Sequence, residues 1–224
     1  TTKVAPIETT TYTYDVENQL IGVELPDGRV VRYRYDGLGR RSEKDVAGTI
    51  RRFVYDHEDL VSVYDATGCW QATVTHGPGI DQPLAVVADD SGNCTPGDAV
   101  GFPEPIRLLQ PDGLGSLTSL LRLVGPPCCR ALRLAERYRY DSFGQPTIMG
   151  PGPDGLLDTA DDVVLPDSAY GNPFLFTGRE YDAETGLYYY RARYYDPRTG
   201  TFLQEDPLFP VHVLELNTYP YARN

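Results

Sequence analysis

Carboxylates are the residues best placed to do chemistry in this chain, and four of them crowd one short stretch. Asp154, Asp158, Asp161 and Asp162 fall within Asp-Gly-Leu-Leu-Asp-Thr-Ala-Asp-Asp, in a Gly- and Pro-rich setting. Hard oxygen ligands gathered on a flexible loop suit Ca²⁺, which accepts about six to eight of them. The spacing lacks the alternating acids and closing Glu of an EF-hand loop, so a solvated acidic turn is the competing reading. Calcium is the one cofactor the sequence suggests.

Nucleophilic and acid–base chemistry finds less support. Ser116 lies in Gly-Leu-Gly-Ser-Leu, without the second glycine of a nucleophile elbow, and no histidine is placed to serve it. His57, His76 and His212 show no metal-ligand spacing. Among 32 Asp and Glu residues no pair stands out for glycoside hydrolysis. There is no phosphate loop and no dinucleotide fingerprint. The chain is expected not to be an enzyme. Of the four cysteines, Cys128 and Cys129 are adjacent and pair with each other only under strain. A disulfide between distant partners, drawn from Cys69, Cys94, Cys128 and Cys129, and four free thiols both remain open.

A different concentration of side chains sits at Gly178–Gly200, "GREYDAETGLYYYRARYYDPRTG", with six tyrosines beside several arginines. Tyr188, Tyr189, Tyr190, Tyr194 and Tyr195 would alternate across the two faces of paired strands, with Arg191 and Arg193 sharing one face. The stretch reads as part of a sheet wall. A stacked-ring platform for glycans is its functional rival.

These residues need elements to position them, and the sequence supplies a repeat. Tyr-Asp occurs at Tyr14-Asp15, Tyr35-Asp36, Tyr55-Asp56, Tyr64-Asp65, Tyr140-Asp141, Tyr181-Asp182 and Tyr195-Asp196. Before several of these the pattern alternates strictly, as in Val31-Arg-Tyr-Arg-Tyr35, which predicts strands with two unlike faces. The Asp then ends the strand by bonding backbone N–H groups two residues on. Pro26-Asp27-Gly28 is a hairpin turn by similar logic. Only Leu117–Leu123 and Cys129–Arg137 offer a helix any competition. The chain therefore reads as all-β. Hairpin repeats fill 1–110, with a loop over 89–105. Further repeat strands with Pro-Asp-Gly-Leu-Gly-Ser fill 111–145, and an acidic Gly/Pro-rich insertion fills 146–172. The tyrosine-rich box fills 173–209, and a trailing connector fills 210–224.

A formal charge of −12 over 224 residues repels nucleic acid and anionic membranes. No apolar run is long enough to span a bilayer. The chain opens Thr1-Thr2 without Met, which points to a piece of something longer.

The Tyr-Asp units, "PDGLGS" at Pro111–Ser116, "RYRYDSFGQP" at Arg137–Pro146 and "GREYDAETGLYYYRARYYDPRTGTFLQEDPL" at Gly178–Leu208 resemble the Rhs/YD-repeat proteins. The last segment resembles the core box that closes the repeat array in that family. The resemblance implies a curved, spiralling continuous sheet that forms part of a β-shell around another polypeptide, such as a C-terminal toxin. It implies a secreted or cell-surface setting. A self-assembling fibre joined through sheet edges, or a glycan- or protein-binding adhesion module, is the alternative. Family members commonly self-cleave at Asp-Pro-x-Gly-Leu. Asp206-Pro207 lacks the Gly-Leu, so no catalytic Asp is assigned.

Overall fold

The computed structural model describes residues 9–89, 94, 106–125, 127–206, 219 and 221. Thirteen antiparallel strands form one open sheet in which every strand pairs with its neighbours in sequence. They are β1 (Thr11–Tyr14), β2 (Leu20–Glu24), β3 (Val30–Tyr35), β4 (Arg41–Val46), β5 (Thr49–Asp56), β6 (Asp59–Asp65) and β7 (Trp70–His76). The sheet continues through β8 (Pro83–Ala88), β9 (Ile106–Pro111), β10 (Leu117–Val124), β11 (Ala131–Tyr140), β12 (Pro146–Gly150) and β13 (Val163–Leu165). Both stretches in which a helix could compete are strands, apart from a 3-10 turn at Pro127–Cys129.

The repeat acts through one turn used five times. Asp15, Asp36, Asp65, Asp112 and Asp141 each accept N–H bonds of 2.8–3.0 Å from the residues two and four further on. The residue three further on is Asn18, Gly39, Gly68, Gly115 or Gly144, always with positive φ, which is why Gly or Asn occupies that place. Asp112 belongs to this set without a preceding Tyr. Asp56 does not: His57-Glu58 closes a tighter turn, and the Asp56 carboxylate bonds the His57 ring at 2.8 Å instead.

A second regularity was not visible in the sequence. In six hairpins the incoming strand carries one extra residue just past its start: Ile21, Ser42, Val61, Gln71, Leu84 and Thr118. Each is a β-bulge, which bends the strand and sharpens its twist. Repeated at this position, the bulges curl the sheet. They also change the inward spacing from two to three, so that Leu20 and Val23, or Leu117 and Leu120, face the core together.

The tyrosine-rich box departs from expectation. It is not a continuation of the wall but a separate sheet of β14 (Glu180–Asp182), β15 (Leu187–Tyr190), β16 (Arg193–Asp196) and β17 (Thr201–Phe202). Cross-strand pairs Tyr188–Tyr195 and Tyr189–Tyr194 lie on opposite faces. Tyr188 and Tyr195 pack with Leu109, Leu117, Leu120, Tyr138 and Ile148 of the large sheet. Tyr189 and Tyr194 pack with Leu20, Val23, Val31 and Tyr33. The outer sheet therefore wraps the inner one from both sides. A sheet buried on two faces reads as a continuous apolar and aromatic run, as in Leu-Tyr-Tyr-Tyr. Arg191 and Arg193 do not share a strand face, because Arg191 is a turn residue with φ 64°.

Two further expectations change. The 146–172 insertion opens with β12 and carries β13 further on, and both extend the outer sheet. The trailing connector lies mostly outside the described residues, but Tyr221 stacks on Tyr195 with ring centroids 4.7 Å apart, so it returns to the core. Most of the 89–105 loop also lies outside them.

Candidate functional site

The chemistry of this molecule is concentrated where the inner sheet meets the outer one. The bulge at Ser42 turns Arg41 and Lys44 of β4 inward together. Arg41, 1% exposed, places its guanidinium 2.6 Å from Asp182 Oδ2 and 2.7 Å from Glu180 Oε2. Its own backbone N–H donates to the Tyr189 hydroxyl at 2.8 Å, and its guanidinium lies 4.5 Å from that ring's centroid. Lys44 Nζ bridges Asp182 Oδ1 at 2.6 Å and Glu184 Oε1 at 2.8 Å. Tyr33 donates its hydroxyl proton to Asp182 Oδ2 at 3.1 Å. Burial disfavours the Asp182 charge, but Arg41 and Lys44 outweigh it and hold the carboxyl below the ordinary range. Burial pushes the Tyr189 phenol up to about 12. A carboxylate fixed by three donors and kept ionised is a poor proton acceptor. It joins two sheets. A cavity of about 280 Å³ adjoins it, lined in part by Arg41, Phe53, Tyr170 and Asp182.

Two smaller polar centres share the seam. Asp81, in the loop after β7, pairs with Arg179 at 2.7 Å and Arg191 at 2.9 Å, and Arg191 also reaches Glu58 at 3.1 Å. Asp81, Thr177 and Arg191 all have positive φ, and a side chain at Gly178 would collide with the Asp81 carbonyl. Backbone strain of this kind persists only where packing fixes it. Glu136 of β11 is fully buried and accepts bonds from Tyr138 Oη at 2.6 Å, Ser168 Oγ at 2.7 Å and Ala169 N at 2.6 Å. Burial raises its pKa despite these bonds.

The four loop aspartates do not converge. Asp161 Oδ2 accepts from Asp154 N at 3.1 Å, Asp162 Oδ2 from Asp158 N at 2.9 Å, and Asp158 Oδ2 pairs with Arg137 at 2.6 Å. Among the described residues no three His, Cys, Asp or Glu side chains are grouped to hold a metal. Cys69 and Cys94 form a disulfide, while Cys128 and Cys129 are free and exposed. Ser116 is buried and accepts from Thr177 N at 3.0 Å. His76 bonds the Leu60 carbonyl at 2.8 Å, and His212 lies outside the described residues.

The Tyr-Asp pairs thus have separate fates. Asp15, Asp36 and Asp141 cap turns through their carboxylates, as does Asp196, which accepts from Arg198 N at 2.9 Å. Asp182 holds its turn by its carbonyl alone, leaving the side chain for Arg41 and Lys44. Tyr35 and Tyr140 each donate to a strand carbonyl, of Leu20 at 2.5 Å and Leu117 at 2.7 Å. Arg41, Lys44 and Glu180 were missed; the sequence signal for Arg41 and Lys44 is a charged pair at spacing three beside a repeat turn, and Glu180 has none.

The RHS Repeat family profile matches residues 14–50, spanning the first two carboxylate-capped turns and β4. The chain is an Rhs/YD-repeat protein. It is 28% identical over 218 residues to tRNA nuclease WapA of Bacillus subtilis (strain 168), covering 96% of this chain and 8% of that protein. It is 30% identical over 190 residues to Toxin protein Tse5 of Pseudomonas aeruginosa, covering 79% of this chain and 13% of that protein. The crystal structure of TcdB2-TccC3 superposes on 94% of this Rhs chain and 10% of its own, with a TM-score of 0.60 and 21% identity, which shows the shared fold. The chain spans about a tenth of the length of these relatives.

Proposed function

We propose that this Rhs segment is a non-catalytic scaffold, the part of a β-sheet shell where the wall is fastened around its own core box. The shell would enclose or display another polypeptide, a toxin or similar cargo. The observation that carries this reading is the wrapped inner sheet: one curled, bulged wall packs on both faces of a second sheet and is tied to one of them by Arg41 and Asp182. Kinship with a tRNA nuclease and a toxin protein supports the cargo class. Engagement of the seam carboxylates by cations supports a structural role for them. The Cys69–Cys94 disulfide supports a secreted or cell-surface setting, where such bonds persist.

Limited proteolysis of the full-length parent protein tests the reading. The joined polypeptide should survive far longer inside the parent than when expressed alone. Equal cleavage rates would remove the enclosing role. One observation favours a second reading, assembly through edges. Val163 and Val164 of β13, 42% and 67% exposed, lie on a strand paired on one side only. Light scattering of the purified chain separates a monomer from edge-joined particles.

A further inference from the structure

The tip of the β10–β11 hairpin carries a feature with no part in the seam or the shell. Cys128 and Cys129 close the 3-10 turn at Pro127–Cys129, both exposed, with their sulfurs 3.2 Å apart. The other two cysteines are consumed in the Cys69–Cys94 disulfide, so this pair is left over as free thiols.

Neighbouring Cα atoms across a trans peptide are about 3.8 Å apart, whereas an unstrained disulfide needs about 4.4–6.8 Å. No cis peptide is present among the described residues to alter that. Direct closure is therefore disfavoured. A single atom bridging the two sulfurs asks for something else. Two thiolates at about 2.3 Å from a tetrahedral centre stand roughly 3.8 Å apart. The observed 3.2 Å is shorter and suits the narrower S–X–S angle of a pyramidal, trivalent centre.

The geometry points to a vicinal dithiol site for one soft, thiophilic centre that needs only two protein ligands, of the class of trivalent arsenic. Soft thiolates select such centres over the hard cations that carboxylates prefer. With an organic arsenic(III) oxide, two As–S bonds replace the As–O linkage, and the two thiol protons leave with that oxygen as one water. No electron changes hands. Both thiols are exposed, so occupancy leaves the fold intact.

Phenylarsine oxide added to the purified chain, read by intact mass, tests the site. One equivalent should bind per chain, be displaced by excess ethanedithiol, and leave the Cys69–Cys94 bond in place. Cys128→Ser and Cys129→Ser should each lower retention by at least tenfold while thermal unfolding stays unchanged. Retention of the arsenical by a single-Cys variant, or failure of the reduced wild-type pair to bind it, would overturn the proposal. So would recovery of the pair as an internal disulfide after aerobic purification, two mass units lighter.

Discussion

Asp182 and Glu136 are both buried carboxylates, and their surroundings drive them in opposite directions. Asp182 faces two cations and stays ionised, whereas Glu136 has three neutral donors and is raised by burial. The signs of their pH effects follow. A depressed native pKa gives stability that is present above the unfolded value, about 3.9 for Asp, and is lost as pH falls through the native one. A raised native pKa gives stability that is present below the unfolded value, about 4.3 for Glu, and is lost as pH rises through the native one. Glu136→Gln should therefore flatten the loss of stability above the Glu range while leaving acid unfolding in place, as read by urea melts across pH. Asp182→Asn leaves Arg41 and Lys44 short of a counter-charge in a buried site. It should cost about 3–5 kcal/mol in chemical denaturation. Arg41→Lys should cost nearly as much, because a point charge replaces neither the two-carboxylate grip nor the ring contacts.

At the scale of elements, the repeated turn and the strained clasp carry separable loads. Asp36→Ala removes two bonds to backbone N–H groups in an exposed hairpin, and a loss of about 1–2 kcal/mol is expected in thermal unfolding. Gly178→Ala is a harsher change, since φ is 71° and the added carbon meets the Asp81 carbonyl. It should part the loop after β7 from the inner sheet and raise hydrogen exchange there before global unfolding. Normal protection at Ile80–Gln82 in that variant would show that the clasp bears no load.

The whole molecule is an open, acidic wall closed on an inner sheet and stapled once. Reducing Cys69–Cys94 opens a link across 25 residues and should cost about 3–4 kcal/mol by loop entropy, seen as a lower melting temperature under reductant. Calcium should leave that temperature unmoved, because the Asp154–Asp162 carboxylates already hold the backbone of their own loop.

What the sequence alone determined was local. Alternation specified strands, and an Asp with Gly or Asn three places on specified the turn, because both follow from backbone sterics and short hydrogen bonds. The YD units and the box they lead to were legible for that reason. Pattern could not show the bulges, since an extra residue such as Ser42 is chemically ordinary and is defined only by its partner strand. Nor could it show that Tyr188–Tyr195 form an inner sheet, because a run buried on two faces reads like any wall strand. Arg41 and Asp182 are 141 residues apart, and only the curl of the tertiary sheet brings them to 2.6 Å. That distance, not the residue types, makes them a seam.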